Sequence, residues 1–225
     1  MFKLETIWNG VVQSNSDLVE VTLDTVTDII STARRADKGN GKIYTAADFS
    51  GSARWSSVLA QKINMVEPGV REALANGIID YLTLNENDLR DLKIDTVFRT
   101  YAESNIEAAK GTGASGGNSW HNFSCAIDVQ IYVYKNDRWV WQTGKTKTSL
   151  EEYTVRLRRS MDKFNMHNDI PGDSGHFYPM GFPKTPPVNL KIGVWSIEDF
   201  IAKHNGGRSY VEPPLLRSLI PRIRP

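Results

Sequence analysis

SWHNFSCAIDVQIYVY, residues 119–134, is the stretch that decides the fold of this 225-residue chain. From residue 125 onward its side chains alternate between one set formed by Ala126, Asp128, Gln130 and Tyr132 and an apolar, β-branched set formed by Ile127, Val129, Ile131 and Val133. An alternation of period two is typical of a β-strand with one buried face. The sequence therefore predicts a strand over 125–134, and NDRW, residues 136–139, predicts a hairpin turn into a second strand.

The segments on either side predict helices and a further strand. SARWSSVLAQKIN, residues 52–64, starts with a serine suited to an N-cap, and VEPGVREALANGIIDYL, residues 66–82, has a proline near its start; both have apolar residues at helical spacing. LKIDTVFRTY, residues 92–101, predicts a short strand that ends in a turn. Downstream, residues 150–165 predict a helix with two glutamates in its first turn, and residues 196–205 predict another.

Composition excludes several classes of protein. The formal net charge is +1, which provides no overall field to hold nucleic acid. A single cysteine, Cys125, excludes an intrachain disulfide. The N-terminal residues 1–21 contain no apolar run long enough for a signal peptide or a membrane span. We therefore expect synthesis in a cytoplasm, and a substrate outside that compartment would require delivery by another component.

Two imidazoles and two carboxylates lie in an order that suits metal-dependent hydrolysis. His121, Asp128 and His176 make a three-ligand zinc set that leaves the fourth position to water. Asp173, three residues before His176, is the candidate general base because a carboxylate beside a ligand can take the proton of that water. Arg99 is the candidate for steadying an oxyanion or holding a substrate carboxylate.

Simpler interpretations accompany each of these residues. A histidine is often structural or exposed, and an aspartate in a turn often caps the chain locally. Ser119 is either a support of the metal site or an ordinary loop serine. Of the remaining histidines, His167 and His204 have no motif context and are interpreted as non-ligands. Cys125 is not favoured as a nucleophile, because no orienting group accompanies it.

The aromatic residues of the predicted hairpin have two interpretations. Trp139, Trp141, Tyr132 and Tyr134 alternate along the two strands. Core packing and sheet surface explain them more simply than a platform for sugars does.

Three motifs in this order resemble the D-Ala-D-Ala carboxypeptidase branch of the lysostaphin, carboxypeptidase and hedgehog group of zinc peptidases. That branch includes vancomycin-resistance carboxypeptidases and phage L-alanyl-D-glutamate endolysins. SWHNFSCAID matches its motif Ser-x-His-x-x-Gly-x-Ala-x-Asp, with Ser124 in place of the glycine. DSGHF matches its acidic residue, two spacers and His-Phe, and FRTY matches a strand that runs into Arg-(Ser/Thr)-Tyr.

The resemblance covers roughly residues 51–180 and implies both fold and activity. The implied fold class is α+β, a small antiparallel sheet with flanking helices that carries the metal site. The implied zinc ligands are His121, Asp128 and His176, and the implied base is Asp173. The segment between the two main motifs lacks the family's usual Trp-then-Gly-Phe pattern, which leaves the substrate pocket undefined.

The activity implied is zinc-dependent hydrolysis of a peptide bond in the stem peptides of bacterial peptidoglycan. The absence of a signal peptide fits an endolysin or virion-associated lysin cutting L-alanyl-D-glutamate, with a D-Ala-D-Ala carboxypeptidase as the alternative. A non-catalytic phage structural or wall-binding module on the same fold is the alternative from another class. We expect no nucleic-acid partner and no membrane span, and action on the cell wall, either free or in a phage particle.

Residues 1–50 and 181–225 are expected to be extensions outside the peptidase domain. They are candidates for wall binding, particle attachment or delivery. The C-terminal extension is rich in proline and carries three late arginines, Arg217, Arg222 and Arg224. A solvated basic tail is the simpler interpretation of these arginines, and docking on an anionic polymer is the alternative.

Overall fold

The computed structural model describes residues 41–84, 90–111, 113–141, 147–170 and 173–204, with only the backbone described in 147–152. Most of the predicted N-terminal extension, and the three late arginines, lie outside these ranges. Within the described ranges, no helix combines the length and the apolar character needed to cross a bilayer.

An antiparallel sheet organises the described part of the chain. Its strands are β1 (Arg90–Thr96), β2 (Ile127–Lys135), β3 (Arg138–Trp141), β4 (Met166–His167) and β5 (His176–Pro179). β2 is central: β1 pairs along one edge, and β5 and β3 share the other edge, beside residues 127–128 and 132–135 respectively. β4 pairs with β5. The fold is therefore α+β with a small open antiparallel sheet, as predicted.

Helices flank this sheet. They are α1 (Ser56–Asn64), α2 (Pro68–Thr83), α3 (Tyr101–Ala109), α4 (Lys147–Asp162), α5 (Val188–Lys191) and α6 (Ile197–His204), with short 3₁₀ turns at Ala46–Phe49 and Trp120–Phe123. Pro68 stands at the start of α2, where its missing N–H costs no hydrogen bond. The helices predicted over 66–82 and 196–205 correspond to α2 and α6 and are confirmed.

The alternation of β2 divides the sheet into two faces. Ile127, Val129 and Ile131 are buried and belong to one hydrophobic core with Leu74 and Ile78 of α2. Asp128, Gln130 and the residues that follow at the same parity lie on the opposite face, called here the open face. The core also includes residues on both sides of the range 51–180, namely Tyr44, Phe49, Phe182, Leu190, Ile197, Phe200 and Ile201.

The hairpin between β2 and β3 is as tight as the sequence predicts. Asn136 and Asp137 form its two-residue turn and have φ values of 51° and 59°. Positive φ at both central positions matches the right-handed twist of the flanking strands, and asparagine and aspartate tolerate it better than most residues.

Two helix starts differ from prediction. α1 begins at Ser56, because the hydroxyl of Ser52 accepts from the Trp55 N–H at 2.9 Å and donates to Asp91 of β1 at 2.7 Å. Ser52 therefore ties the preceding loop to the sheet and does not cap the helix. α4 runs over Lys147–Asp162, three residues earlier at each end than predicted, so the two glutamates lie in its second turn.

Helix α3 was not predicted, although its start carries a local signal. The Thr100 hydroxyl accepts from the Glu103 N–H at 3.1 Å, and the Glu103 carboxylate accepts from the Thr100 N–H at 2.7 Å. This reciprocal capping box satisfies two backbone donors at the helix N-terminus. The pattern Thr-x-x-Glu starts at Thr100, inside the strand predicted over 92–101, whereas the observed strand β1 ends at Thr96 and the helix begins at Tyr101.

Candidate metal centre

Two of the predicted ligands face each other across the sheet. Asp128 of β2 and His176 of β5 are directly opposite partners in the antiparallel register. Such partners project from the same face with their Cβ atoms about 4.5–5.5 Å apart. The strand pairing itself therefore brings the carboxylate and the imidazole together on the open face.

The third ligand, His121, reaches this pair from the 3₁₀ turn Trp120–Phe123. Ser119 caps the turn, and its hydroxyl accepts from the backbone N–H of His121 at 3.3 Å. The Cys125 N–H donates to the Trp120 carbonyl at 3.0 Å and closes the turn against the start of β2. Ser119 thus contacts the backbone that orients a ligand, while its further role as a support of the metal site stays a prediction.

The ligand atoms of the three side chains converge. His121 Nε2 lies 3.1 Å from Asp128 Oδ1 and 3.1 Å from His176 Nδ1, and His176 Nδ1 lies 3.0 Å from Asp128 Oδ1. A tetrahedral zinc ion with ligands at 2.0–2.2 Å separates its ligand atoms by about 3.3 Å. The three residues therefore form a group that could hold a metal ion.

The hydrogen bonding of His121 prepares it as a ligand. Its Nδ1 lies 3.1 Å from the carbonyl oxygen of Val97, which can only accept, so Nδ1 carries the proton. In the neutral ring the lone pair is then on Nε2, the atom directed at Asp128 and His176. The carbonyl of Val97, the residue after β1, thus selects the tautomer whose Nε2 could bind a metal ion.

The charge balance of the site also favours a cation. His121 and His176 are nearly inaccessible to solvent, with 2% and 5% exposure. Burial alone would raise the pKa of Asp128, but its hydrogen bonds and charge interactions with the two imidazoles hold that pKa well below its usual range. An ionised carboxylate that faces two imidazole nitrogen atoms is a site with a place for positive charge, carried either by the rings or by a bound cation.

Asn122 joins the site to helix α3, a role that was not predicted. Its amide donates to the Arg99 carbonyl at 2.7 Å and to the Ser104 hydroxyl at 2.9 Å, and its oxygen accepts from the Gly117 N–H at 3.0 Å. Asn122 is 2% exposed. The sequence signal for this role was the spacing Ser-x-x-Asn, which also forms a capping box with Ser119.

Ser124 occupies the position of the motif glycine in a left-handed conformation, with φ 54° and ψ 28°. Its carbonyl accepts from the Glu67 N–H at 2.9 Å and so connects the site turn to the start of α2. Left-handed backbone is the reason a glycine suits this position. Cys125, the next residue, is fully buried in the hydrophobic core.

Arg99 lies beside the metal centre, at the rim of a cleft. Its Nη2 is 3.8 Å from Asp128 Oδ2, the carboxylate oxygen that faces away from the imidazoles. The cleft has a volume of about 440 Å³ and is also lined by Lys62, Met65 and Glu103. Arg99 therefore both lines the cleft and lies next to the Asp128 carboxylate.

Asp173 is exposed on the loop before β5. Its backbone N–H donates to the Ile170 carbonyl at 3.2 Å, and its carbonyl accepts from Asn168 at 2.7 Å. Among the described residues, none forms a hydrogen bond or an ion pair with its carboxylate, and it is outside the group of three ligands. Its assignment as the base stays a prediction.

The two remaining histidines pack against aromatic rings. His167 of β4 lies against Tyr178 of β5, with ring centroids 4.5 Å apart, and His204 lies 4.5 Å from Phe200. Within the described ranges, the group that could hold a metal contains neither of them. Tyr178 also donates to the Asp169 carboxylate at 2.5 Å.

No model of a known protein family matches this chain, and no curated protein matches it.

Proposed function

We propose that this protein is a zinc-dependent peptidase that cleaves a peptide bond in the stem peptides of bacterial peptidoglycan. The observation that carries the proposal is the convergence of His121 Nε2, Asp128 Oδ1 and His176 Nδ1, each 3.0–3.1 Å from the others. Two neutral imidazoles and one carboxylate are a frequent ligand set of catalytic zinc, which keeps one position for water.

The side of the site that remains accessible suits a substrate. The Asp128 side chain is 26% exposed and the Arg99 side chain 20% exposed, whereas both imidazoles are buried. Zinc bound there would lower the pKa of a water molecule to about 7 and polarise a carbonyl group. Arg99 would bind a substrate carboxylate or the oxygen that becomes negative during hydrolysis.

Asp173 is proposed as the group that accepts the proton of the attacking water and returns it to the leaving amine. The residue is exposed, and among the described residues its carboxylate has no hydrogen-bond or ion-pair partner that would have to be displaced. Its loop leads directly into β5, so a small movement of this loop would change the distance from the carboxylate to the ligand His176.

The choice of peptidoglycan as substrate rests on the three motifs in the sequence. These motifs resemble the motifs of peptidases that cleave peptide bonds formed by D-amino acids. The favoured bond is L-alanyl-D-glutamate. A D-Ala-D-Ala carboxypeptidase would use the same ligands and the same arginine, so the products must distinguish the two activities.

The test combines metal analysis with product identification. Purified protein should contain one zinc ion per chain, and purified peptidoglycan treated with it should yield new termini that a chelator suppresses and added zinc restores. Stem peptides that begin at D-glutamate identify the endopeptidase, and free D-alanine identifies the carboxypeptidase. The matched variants are His176→Ala, which removes a ligand, and His167→Ala, which removes a histidine outside the ligand group.

Folded, zinc-loaded protein that produces no new termini from several wall types would overturn the proposal. Binding to the same walls without cleavage would then favour the non-catalytic wall-binding or phage structural module. Activity retained by His176→Ala and lost in His167→Ala would instead refute the ligand assignment.

A further inference from the structure

An aromatic surface lies on the open face, at the end of the sheet remote from the metal ligands. Tyr132 pairs with Trp141 and Tyr134 pairs with Trp139 across the hairpin, so the four rings project from one face. Trp55 packs over them, with its ring centroid 4.3 Å from that of Tyr132 and 6.2 Å from that of Trp139. These five residues are called the aromatic platform.

The hydrophobic core does not account for the platform. Val133 of β2, whose side chain projects to the other face, is 3% exposed, whereas Trp141 is 50% exposed and Tyr134 is 37% exposed. Burying large aromatic side chains is strongly favourable, so two of them left exposed beside three half-buried ones form a surface suited to a ligand.

The platform is continuous with the metal centre along β2. Asp128, Gln130, Tyr132 and Tyr134 share the open face, and two residues of a strand span about 6.6 Å, so the platform starts about 13 Å from Asp128. Between the two sites, the Gln130 side-chain oxygen accepts from the Tyr132 hydroxyl at 3.1 Å. A ligand that lies on the platform therefore reaches the metal centre without crossing a strand.

Resting on the proposed function, we propose that the aromatic platform binds the glycan strand that carries the stem peptide. The C–H faces of pyranose rings stack on flat aromatic side chains, and sugar hydroxyls find neutral polar partners in Gln130 and in the tyrosine hydroxyls. An extended peptide covers about 3.3–3.6 Å per residue, so a stem of a few residues spans the distance from a stacked sugar to the metal centre.

Single-stranded nucleic acid, which also stacks on aromatic rings, fits the platform less well. It requires cations that follow the backbone along the whole path. Here Lys135 and Arg138 lie together at the tip of the hairpin, and the Arg54 guanidinium lies over the Trp55 ring at 4.8 Å. Along the path from Tyr132 towards Asp128, Gln130 is neutral, and the ammonium group of its β1 partner Lys93 lies 4.0 Å from the Asp95 carboxylate, so this part of the path offers no run of free cations.

The test measures binding with no metal and no cleavable bond. Full-length protein treated with chelator is titrated with peptide-free glycan strands and with a chito-oligosaccharide as a soluble probe. Wild type should bind both, Trp141→Ala and Tyr134→Ala should each weaken binding by about tenfold, and Trp141→Phe should restore most of it. Ile192→Ala, which removes a 52% exposed apolar side chain outside the platform, is the control and should bind as wild type does.

A kinetic measurement separates this inference from the proposed function. Trp141→Ala should raise the KM for intact peptidoglycan and leave kcat for a short soluble stem peptide unchanged. Platform-dependent glycan binding by a protein that cleaves nothing would support the platform and refute the peptidase. Equal glycan binding by wild type and Trp141→Ala, or binding to single-stranded DNA in place of glycan, would overturn the platform whether or not the protein hydrolyses peptides.

Discussion

At the scale of single residues, the site depends on which nitrogen atom of each imidazole is available. The Nδ1 atom of His121 is bonded to the Val97 carbonyl at 3.1 Å, so its Nε2 faces Asp128. His176, on β5, directs its Nδ1 at the same carboxylate. The two rings are tilted at 73° to each other, with centroids 4.9 Å apart. A ligand set held this way needs little reorganisation to bind an ion.

The roles proposed for His176 and Asp173 predict different losses. His176→Ala should lose both zinc and activity, because only two of the three proposed ligands remain to hold the ion. Asp173→Asn should keep one zinc per chain and lower kcat by roughly 10²–10⁴-fold, the usual contribution of a general base. Zinc content and turnover on peptidoglycan fragments, measured on the same preparations, check both results. Full activity in Asp173→Asn would refute the assignment of the base.

Ser124 offers a prediction of stability. A left-handed conformation costs a residue with a Cβ atom roughly 1–2 kcal/mol, and glycine avoids most of that cost but gains freedom in the unfolded chain. Ser124→Gly should therefore raise the free energy of unfolding by up to about 1 kcal/mol. Ser124→Val should lower the free energy of unfolding by more than Ser124→Gly raises it, because a β-branched residue tolerates positive φ least. Denaturant titration of the metal-free protein measures both, and a lower stability in Ser124→Gly would contradict the argument.

At the scale of elements, the candidate metal centre depends on how closely β5 approaches β2. Gly175 precedes His176, and its carbonyl accepts from the Val129 N–H at 2.9 Å. A Cβ atom at this position would lie 2.5 Å from the Val129 carbonyl oxygen, which is backbone and cannot turn aside. The absence of a side chain here thus allows the pairing that joins Asp128 to His176.

Gly175→Ala should accordingly weaken zinc binding without removing any ligand. The displaced β5 would carry His176 away from Asp128, and loss of ligand geometry typically costs 10–100-fold in metal affinity. Competition with a chromogenic chelator measures this affinity, and circular dichroism verifies that the chain remains folded. Ser174→Ala in the same turn is the control. Unchanged zinc affinity in Gly175→Ala would show that β5 can shift without moving its histidine.

At the scale of the whole molecule, the two faces of one sheet have different tasks. The core face of β2 is covered and contributes apolar burial, while the open face carries the candidate metal centre at one end and the aromatic platform at the other. The loop before α1 crosses the β1 edge: Ser52 and the Arg54 N–H bond to the buried carboxylate of Asp91, and Trp55 reaches Tyr132. The same strands thus contribute residues to the covered face and to the open face.

Acid stability of the whole domain should depend on Asp169. Partial burial would raise its pKa, but the hydrogen bonds from Tyr178 and Lys184 prevail and lower it. A carboxyl group with a lowered pKa in the folded state contributes stability above its unfolded pKa of about 3.9, and this contribution is lost as the pH falls through the folded value. Because the group is partly exposed, the contribution is at most about 1 kcal/mol.

Asp169→Asn should thus be less stable than wild type at pH 7, and the difference should shrink as the pH is lowered from about 4 towards 2. Thermal unfolding of both metal-free proteins across this range measures it. Asp137→Asn, a change of the same chemistry in the exposed hairpin turn, serves as the control. A stability difference that stays constant down to pH 2 would refute the electrostatic explanation.

Local pattern was sufficient for the elements whose residues are neighbours in the sequence. The alternation of β2 predicted which face carries Asp128 and which is buried, and Asn136 with Asp137 predicted the tight hairpin. These predictions hold because side-chain periodicity and turn chemistry are determined within a few residues. The start of α1 was less predictable, because Ser52 bonds to a residue 39 positions away and not to its own helix.

The sequence alone predicted the three candidate ligand residues and their order, whereas the tertiary structure decided that their side chains meet. His121 and His176 are 55 positions apart, and only the register of β5 on β2 brings their nitrogen atoms to 3.1 Å. The Val97 carbonyl leaves no trace in the sequence, because every residue has one. The close approach at Gly175 and the packing of Trp55 over the hairpin are equally non-local. Such contacts depend on burial and pairing across the whole fold, which no short stretch of sequence contains.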